Sequence, residues 1–150
     1  MEFKKITQNK KQFLPLLLLA DEQESMIDKY LEEGTMYVLC DNGVKCECVV
    51  VPAGNGILEI KNIATLPEFQ GRGYSRAMIE YIAKKYQKSY DVLQVGTGDS
   101  PLTVPFYQKC GFTKSHVIKD FFVKNYDHPI FEAGKQLTDM IYLQRKLKND

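Results

Sequence analysis

Between Ile57 and Lys88 the chain reads as strand, tight turn and helix, and this stretch constrains the fold more than any other. Ile57-Leu58-Glu59-Ile60-Lys61-Asn62-Ile63-Ala64-Thr65 is an apolar, β-branched run of the kind that fills a buried strand. Pro67 ends it, because proline has no N–H to give to a ladder. Gly71 and Gly73 follow, and then Ala77, Met78, Ile79, Tyr81, Ile82 and Ala83 recur at helical spacing. A strand that turns through glycines into a helix leaves backbone N–H groups unpaired at the positive end of the helix dipole. Such a junction binds anions, phosphates above all.

Two familiar phosphate motifs do not fit. A Walker loop needs a Gly-Lys-Ser/Thr ending, which is absent, and a dinucleotide fingerprint needs a third Gly or Ala where Arg76 stands. Asp91 lies at about the right distance to bind a ribose, but it precedes the next apolar run instead of ending it. By contrast, Gln70-Gly71-Arg72-Gly73-Tyr74-Ser75 resembles the Gln/Arg-x-x-Gly-x-Gly/Ala loop of the GNAT family of N-acetyltransferases, departing only at Ser75. A second segment, Pro105-Phe106-Tyr107-Gln108-Lys109-Cys110-Gly111-Phe112, is similar to that family's Phe/Leu-Tyr-x-Lys-x-Gly-Phe stretch. It follows at the usual distance, with the strand-like run Val92-Leu93-Gln94-Val95 between the two.

The resemblance implies an α/β fold, with a mixed, mostly antiparallel sheet flanked by helices. Its central strands, 57–66 and 92–97, would run parallel and splay apart. It implies acetyl-coenzyme A as cosubstrate, its pyrophosphate held by the loop from Gln70 through Gly71, Arg72, Gly73 and Tyr74 to Ser75. Pantetheine would pair with backbone at Ile63, Ala64 and Thr65, which is β-augmentation applied to a small molecule. Ser100, where the family often has asparagine, and Phe106 complete the expected cofactor-binding set.

The implied reaction moves an acetyl group from a thioester to an amine by direct attack. A lysine-like amine has a pKa of about 10.4, so a proton must leave it before it can attack. Tyr107 stands where the family's frequent general acid stands, beside the expected thiolate. Full proton transfer from a tyrosine near 10 to a thiolate near 8.5 is uphill by about 2 kcal/mol, which favours hydrogen-bond support over complete protonation. A tyrosine packed in the core is the alternative. Glu59, eleven residues before Gln70, has the spacing of the histone-acetylating branch's glutamate base. An ordinary carboxylate near 4.3 is about six units too weak for that task, so Glu59 would act through water, be raised by burial, or simply orient the strand. Asn62 could instead bind substrate.

Composition narrows the rest. A chain of 150 residues suits one domain, 1–150, with a single core. Lys and Arg total 20 against 19 acids with no basic block, which argues against nucleic acid as a partner. The 4 cysteines and 2 histidines have no zinc-ligand spacing, and the cysteines read as reduced, mostly buried thiols of a cytoplasmic protein. Phe13-Leu14-Pro15-Leu16-Leu17-Leu18-Leu19-Ala20 superficially resembles a signal peptide. It is short and is followed by Asp21-Glu22, and a first helix with Pro15 in its first turn explains it better. No stretch is long enough to span a membrane.

A second helix is expected over Asp21 to Glu33, amphipathic through Met26, Ile27, Tyr30 and Leu31. Strands are expected at 3–6, 36–40, 44–51, 113–118 and 140–146, and helices at 75–88 and 103–110. The connection 119–138 is long and rich in aromatics, with Asp127, His128 and Glu132 among them. It reads as the acceptor pocket, with Asp127 or Glu132 drawing a cationic amine, or as a homodimer contact. His128 there, and His116 before it, read as fixing structure more than as catalysts. Two function classes are open: an N-acetyltransferase acting on a small-molecule or peptide amine, and a non-catalytic acyl-coenzyme A binding or sensing module.

Overall fold

The structure is a computed structural model, and it describes residues 1–147. The elements in order are β1 (Glu2–Ile6), α1 (Leu14–Ala20), α2 (Glu24–Ile27), β2 (Thr35–Cys40), β3 (Val44–Gly54), β4 (Ile57–Thr65) and α3 (Tyr74–Tyr86). There follow β5 (Val92–Gly98), α4 (Thr103–Lys109), β6 (Thr113–Ile118), α5 (Phe121–Asn125), β7 (Phe131–Glu132), β8 (Lys135–Gln136) and β9 (Met140–Lys146). Seven strands form one sheet in the order β1-β2-β3-β4-β5-β9-β6, and β7 and β8 form a small hairpin apart from it. Every pairing in the large sheet is antiparallel except β4 with β5. Parallel neighbours need a crossover, and α3 supplies it.

Both faces of the sheet are covered, because β3 and β4 carry apolar residues on both sides. On one face α3 and α4 pack through Met78, Ile79, Ile82, Tyr107 and Cys110 onto Cys46, Cys48, Leu58, Ile60 and Leu93. Full burial of one such aliphatic side chain stabilises by about 1.5–3 kcal/mol. On the other face Leu17 of α1 and Ile27 of α2, with Leu31, cover Met36, Val38 and Val49. A third cluster, Phe122, Ile130 and Leu137, gathers the 119–138 connection into an ordered unit.

One element departs from expectation. The helix expected over 21–33 is a single turn, Glu24–Ile27, followed by turns to Gly34. The residues that suggested it do face inward, since Met26, Ile27 and Leu31 are buried. Its later carbonyls leave the helical ladder for another donor: Lys10 Nζ donates to the oxygens of Leu31, at 2.8 Å, and of Gly34, at 2.6 Å. A local periodicity could not foresee a lysine arriving from more than twenty residues upstream.

The splay expected of β4 and β5 is present. Their pairing runs from Ile57–Val92 to Ile60–Val95 and stops, although β4 continues to Thr65 and β5 to Gly98. The cause lies on the other side of β4. There Val49 pairs with Asn62 and Val50 with Ile60, so Lys61 is an extra residue, a bulge that bends the strand. Beyond it, residues 62–65 keep their ladder to β3, and the edge of 61–65 toward β5 is left open.

Candidate active site

A cleft of about 620 Å³ opens where β4 and β5 part. One end is built from backbone. Gln70 Nε2 donates to Thr65 O at 3.2 Å, tying the turn to the end of β4. Gly73, at φ +87°, is the N-cap of α3, and a Cβ there would meet nothing within 4 Å. Among the described residues, the amides of 71–75 find no backbone acceptor, whereas Ala77 N already bonds to Gly73 O at 2.9 Å. That is a row of aligned donors at a helix N-terminus, the arrangement a pyrophosphate needs.

Ser75, where the resemblance would have glycine or alanine, has its hydroxyl 2.6 Å from that of Thr65. The substitution thus fastens the start of α3 to β4 and keeps the loop closed. Ile63, Ala64, Thr65, Gln70, Gly71, Gly73, Tyr74, Ser75 and Phe106 all line the cleft. Arg72 does not line it; its guanidinium lies 5.3 Å from the centre of the Phe69 ring. Ser100 is also outside the lining. It is buried, and its Oγ accepts from Leu102 N at 3.1 Å, which sets the turn that opens α4.

The two catalytic candidates part company. Tyr107 lines the cleft from α4. Burial first, and then the nearby Cys48 and Cys110, push its hydroxyl above the ordinary tyrosine value. A tyrosine so raised holds its proton and is a hydrogen-bond donor more than an acid. Glu59 is not in the lining. It accepts from Gln94 Nε2 at 2.7 Å, Gln94 in turn accepts from Gln144 Nε2 at 2.7 Å, and Lys61 Nζ lies 3.0 Å from its other oxygen. This ladder crosses β4, β5 and β9 and gives each carboxylate oxygen of Glu59 a partner.

The opposite end of the cleft is built from side chains that the sequence does not bring together. Asp21, just past α1, accepts from Tyr126 Oη at 2.7 Å and from Tyr30 Oη at 3.1 Å. Burial pushes its carboxyl up, against the two hydroxyls that favour its charge. Asn62 sits beside it, donating Nδ2 to Leu17 O and to Tyr30 Oη, both at 3.0 Å. Phe122, Ile130, Phe131, Glu132 and Leu137 of the 119–138 connection form the remaining wall.

That connection turns inward onto its own chain. Asp127 N donates to Gln23 Oε1, His128 Nε2 is 2.9 Å from Glu22 Oε1, and Lys135 Nζ donates to Asp99 O. Leu137 presses so closely on β5 that a Cβ on Gly98 would come within 2.5 Å of it. Asp127 is exposed and paired with His128, so Glu132 is the one of the two expected acids that reaches the cleft. His116 stacks on Tyr142 at 4.6 Å, outside the lining. Asp21 and Tyr126 were not foreseen, since 105 positions separate them and no sequence pattern joins them.

With this geometry in view, the relationships of the chain are consistent. Residues 32–114 match the acetyltransferase (GNAT) domain family. The uncharacterized N-acetyltransferase YvbK of Bacillus subtilis strain 168 is 35% identical over 131 residues, covering 85% of this chain and 84% of that protein. A GNAT acetyltransferase from Elizabethkingia anophelis with acetyl-CoA bound superposes with a TM-score of 0.90 at 35% identity, covering 97% of each chain. A Bacillus subtilis acetyltransferase in complex with CoA superposes with a TM-score of 0.86 at 31% identity, again over 97% of each. The chain belongs to the GNAT acetyltransferase family. It is an acyltransferase whose cosubstrate is acetyl-CoA. Among the described residues no helix is long and apolar enough to cross a membrane.

Proposed function

We propose that this enzyme acetylates the primary amine of a small molecule or peptide that carries an apolar body, by direct attack on the thioester. The observation that carries this reading is the make-up of the cleft: open backbone at one end, and an acid set among aromatics at the other. An ammonium offers three donors and no acceptor, and Asp21 and Glu132, which line the cleft, offer it acceptors. Phe122, Tyr126, Ile130 and Phe131 offer an apolar and aromatic wall to the rest of the molecule. The inward fold of 121–134 supports an acceptor wall over a homodimer contact.

In this reading, the loop amides of 71–75 hold the pyrophosphate, with Gln70 bracing the turn. The open edge of Ile63, Ala64 and Thr65 pairs with pantetheine, and Phe106 packs against it. Tyr107 donates a hydrogen bond to the sulfur as the C–S bond breaks. We assign Glu59 and Ser100 to the framework: each is held by partners of its own, and neither lines the cleft. The serine at position 100, which would hint at a sensing module, is explained by the turn it makes. We place the reaction in the cytoplasm, on the ground that Cys46, Cys48 and Cys110 are buried free thiols.

Thiol release from acetyl-CoA, measured against a panel of primary amines with and without apolar bodies, tests the proposal. Saturable release, with the Michaelis constant falling as the apolar body grows, is the expected result. Cosubstrate binding with no release from any amine would leave a binding module instead.

A further inference from the structure

A second acid lies just behind the cleft, and the reaction as described so far gives it nothing to do. Glu47 sits in the middle of β3, flanked by Cys46 and Cys48, and is completely buried. Neither of its carboxylate oxygens has a hydrogen-bond partner, and the same is true of Asn62 Oδ1. Leaving a buried acceptor unmet is destabilising, and more so for a charge. Three such oxygens in one place therefore need an explanation.

Their positions follow from the register. Glu47 pairs with Val38 and Ala64, and Val49 pairs with Asn62. Val38 and Val49 both belong to the cluster under α1 and α2, so Glu47 and Asn62 point to that same face. They are diagonal neighbours across β3 and β4, about 7–8 Å apart at Cα. Ala64 and Asn62 line the cleft, so Glu47 is one residue's depth behind the acceptor end.

We propose that Glu47 takes up the proton shed by the acceptor amine, through a water held between its carboxylate and Asn62 Oδ1. This assignment rests on the acetylation of a primary amine argued above. The ammonium gives a proton to the water, and the water passes one to Glu47. The freed lone pair then forms the C–N bond to the thioester carbonyl carbon. The C–S bond breaks with its electron pair on sulfur, beside the Tyr107 hydroxyl. The proton that the new amide nitrogen sheds goes to that thiolate, so the products are the acetamide, free coenzyme A and protonated Glu47. Glu47 returns its proton to solvent through the same water once product leaves.

The surroundings suit this task. Burial alone pushes the Glu47 carboxyl well above the usual carboxylate value, which narrows the gap to an amine. The titratable groups that sense its charge are Tyr30 from the turn after α2, Tyr107 from α4, and its strand neighbours Cys46 and Cys48. Across the strands, β2 and β4 face it with the uncharged Val38 and Ala64. Lys45, two residues away, stands at a bulge and turns its ammonium to Asn42 O at 2.6 Å and to the Phe69 ring. Asp21 reaches this group only through the Tyr30 hydroxyl, which Asn62 Nδ2 also meets.

The test is a pH–rate profile with the best amine of the panel. Wild-type turnover should rise with pH along a limb centred above the ordinary carboxylate range. Glu47→Gln keeps the shape and removes the base; it should lower turnover roughly a hundredfold near neutral pH, lose that limb, and recover once the amine deprotonates unaided. Glu47→Asp keeps the carboxylate and should keep the limb, which guards against a fold defect in the amide variant. Glu59→Gln is the control and should stay within about twofold of wild type, with an unchanged profile. A Glu47→Gln enzyme with the wild-type profile, or one slowed equally at every pH, would overturn the assignment. Wild-type protein that turns over no amine would instead defeat the acetylation reading itself.

Discussion

At one end of the cleft the groups left without a partner are main-chain: the amides of 71–75 and the open edge of 61–65. At the other end the lining polar groups are side chains, Asp21, Asn62, Tyr126 and Glu132, drawn from three distant segments. Backbone recognition depends on the path of the chain and tolerates most side chains, as Ser75 illustrates. Side-chain recognition depends on which residues tertiary packing happens to gather. The first kind suits a cosubstrate common to a whole family, and the second suits an acceptor that differs between its members.

The comparison can be broken first at Gly73. With φ at +87° and open space where a Cβ would project, Gly73→Val should leave the fold intact yet strain the turn and fill the space above the amides. Acetyl-CoA binding should fall below calorimetric detection while the melting transition survives. Undiminished affinity would show that the amides of 71–75 are not the phosphate site.

A smaller effect is expected at the chemical step between the two ends. Tyr107→Phe keeps the ring in its cluster with Phe106 and Phe112 and removes one donor to a charged leaving group. Such a bond contributes about 1.5–3 kcal/mol, so turnover should drop roughly ten- to hundredfold. Cosubstrate affinity should hold, because the ground-state thioester gains little from the hydroxyl. Full turnover in this variant would take Tyr107 out of the mechanism.

The smallest effect belongs to the clasp between the acceptor wall and the α1–α2 corner. His128 is raised above its ordinary 6.5, chiefly by Asp127 and then by Glu22. A histidine raised on folding adds stability that is complete below its unfolded value and is lost as pH climbs through the folded one. The melting temperature of wild type should therefore exceed that of His128→Gln at pH 6, and the difference should vanish well above the raised value. Both groups are exposed, so the difference should be slight. A difference that grows with pH would contradict the clasp.

What the sequence reveals follows the same division. The end built on the glycine turn is legible because strand, glycine turn and helix are consecutive, within a stretch of about thirty residues. The strand bounds at 113–118 and 140–146 are equally local matters of alternation and turns, and the structure reproduces them. The acceptor end is not legible. Asp21 reads as the polar stop after a leucine run until Tyr126 reaches it from the 119–138 connection. Glu59 keeps a suggestive spacing, yet Gln94 and Lys61 claim it, and both contacts depend on strand register and side-chain reach. Glu47 did carry a signal: a single acid inside Cys46-Glu47-Cys48-Val49-Val50-Val51. A carboxylate in a strand covered on both faces has nowhere to put its charge, and that is readable once both faces are known to be covered.

The division of labour itself is tested most directly at Asp21. The measurement is the acetyl-CoA affinity of Asp21→Asn, taken beside its Michaelis constant for the best amine. Removing the charge while keeping the shape should raise the acceptor constant about tenfold or more, the worth of one charge-assisted contact. Cosubstrate affinity should match wild type, because no contact of Asp21 reaches the turn at 70–75. An acceptor constant that stays put, or a cosubstrate affinity that falls along with it, would contradict the account.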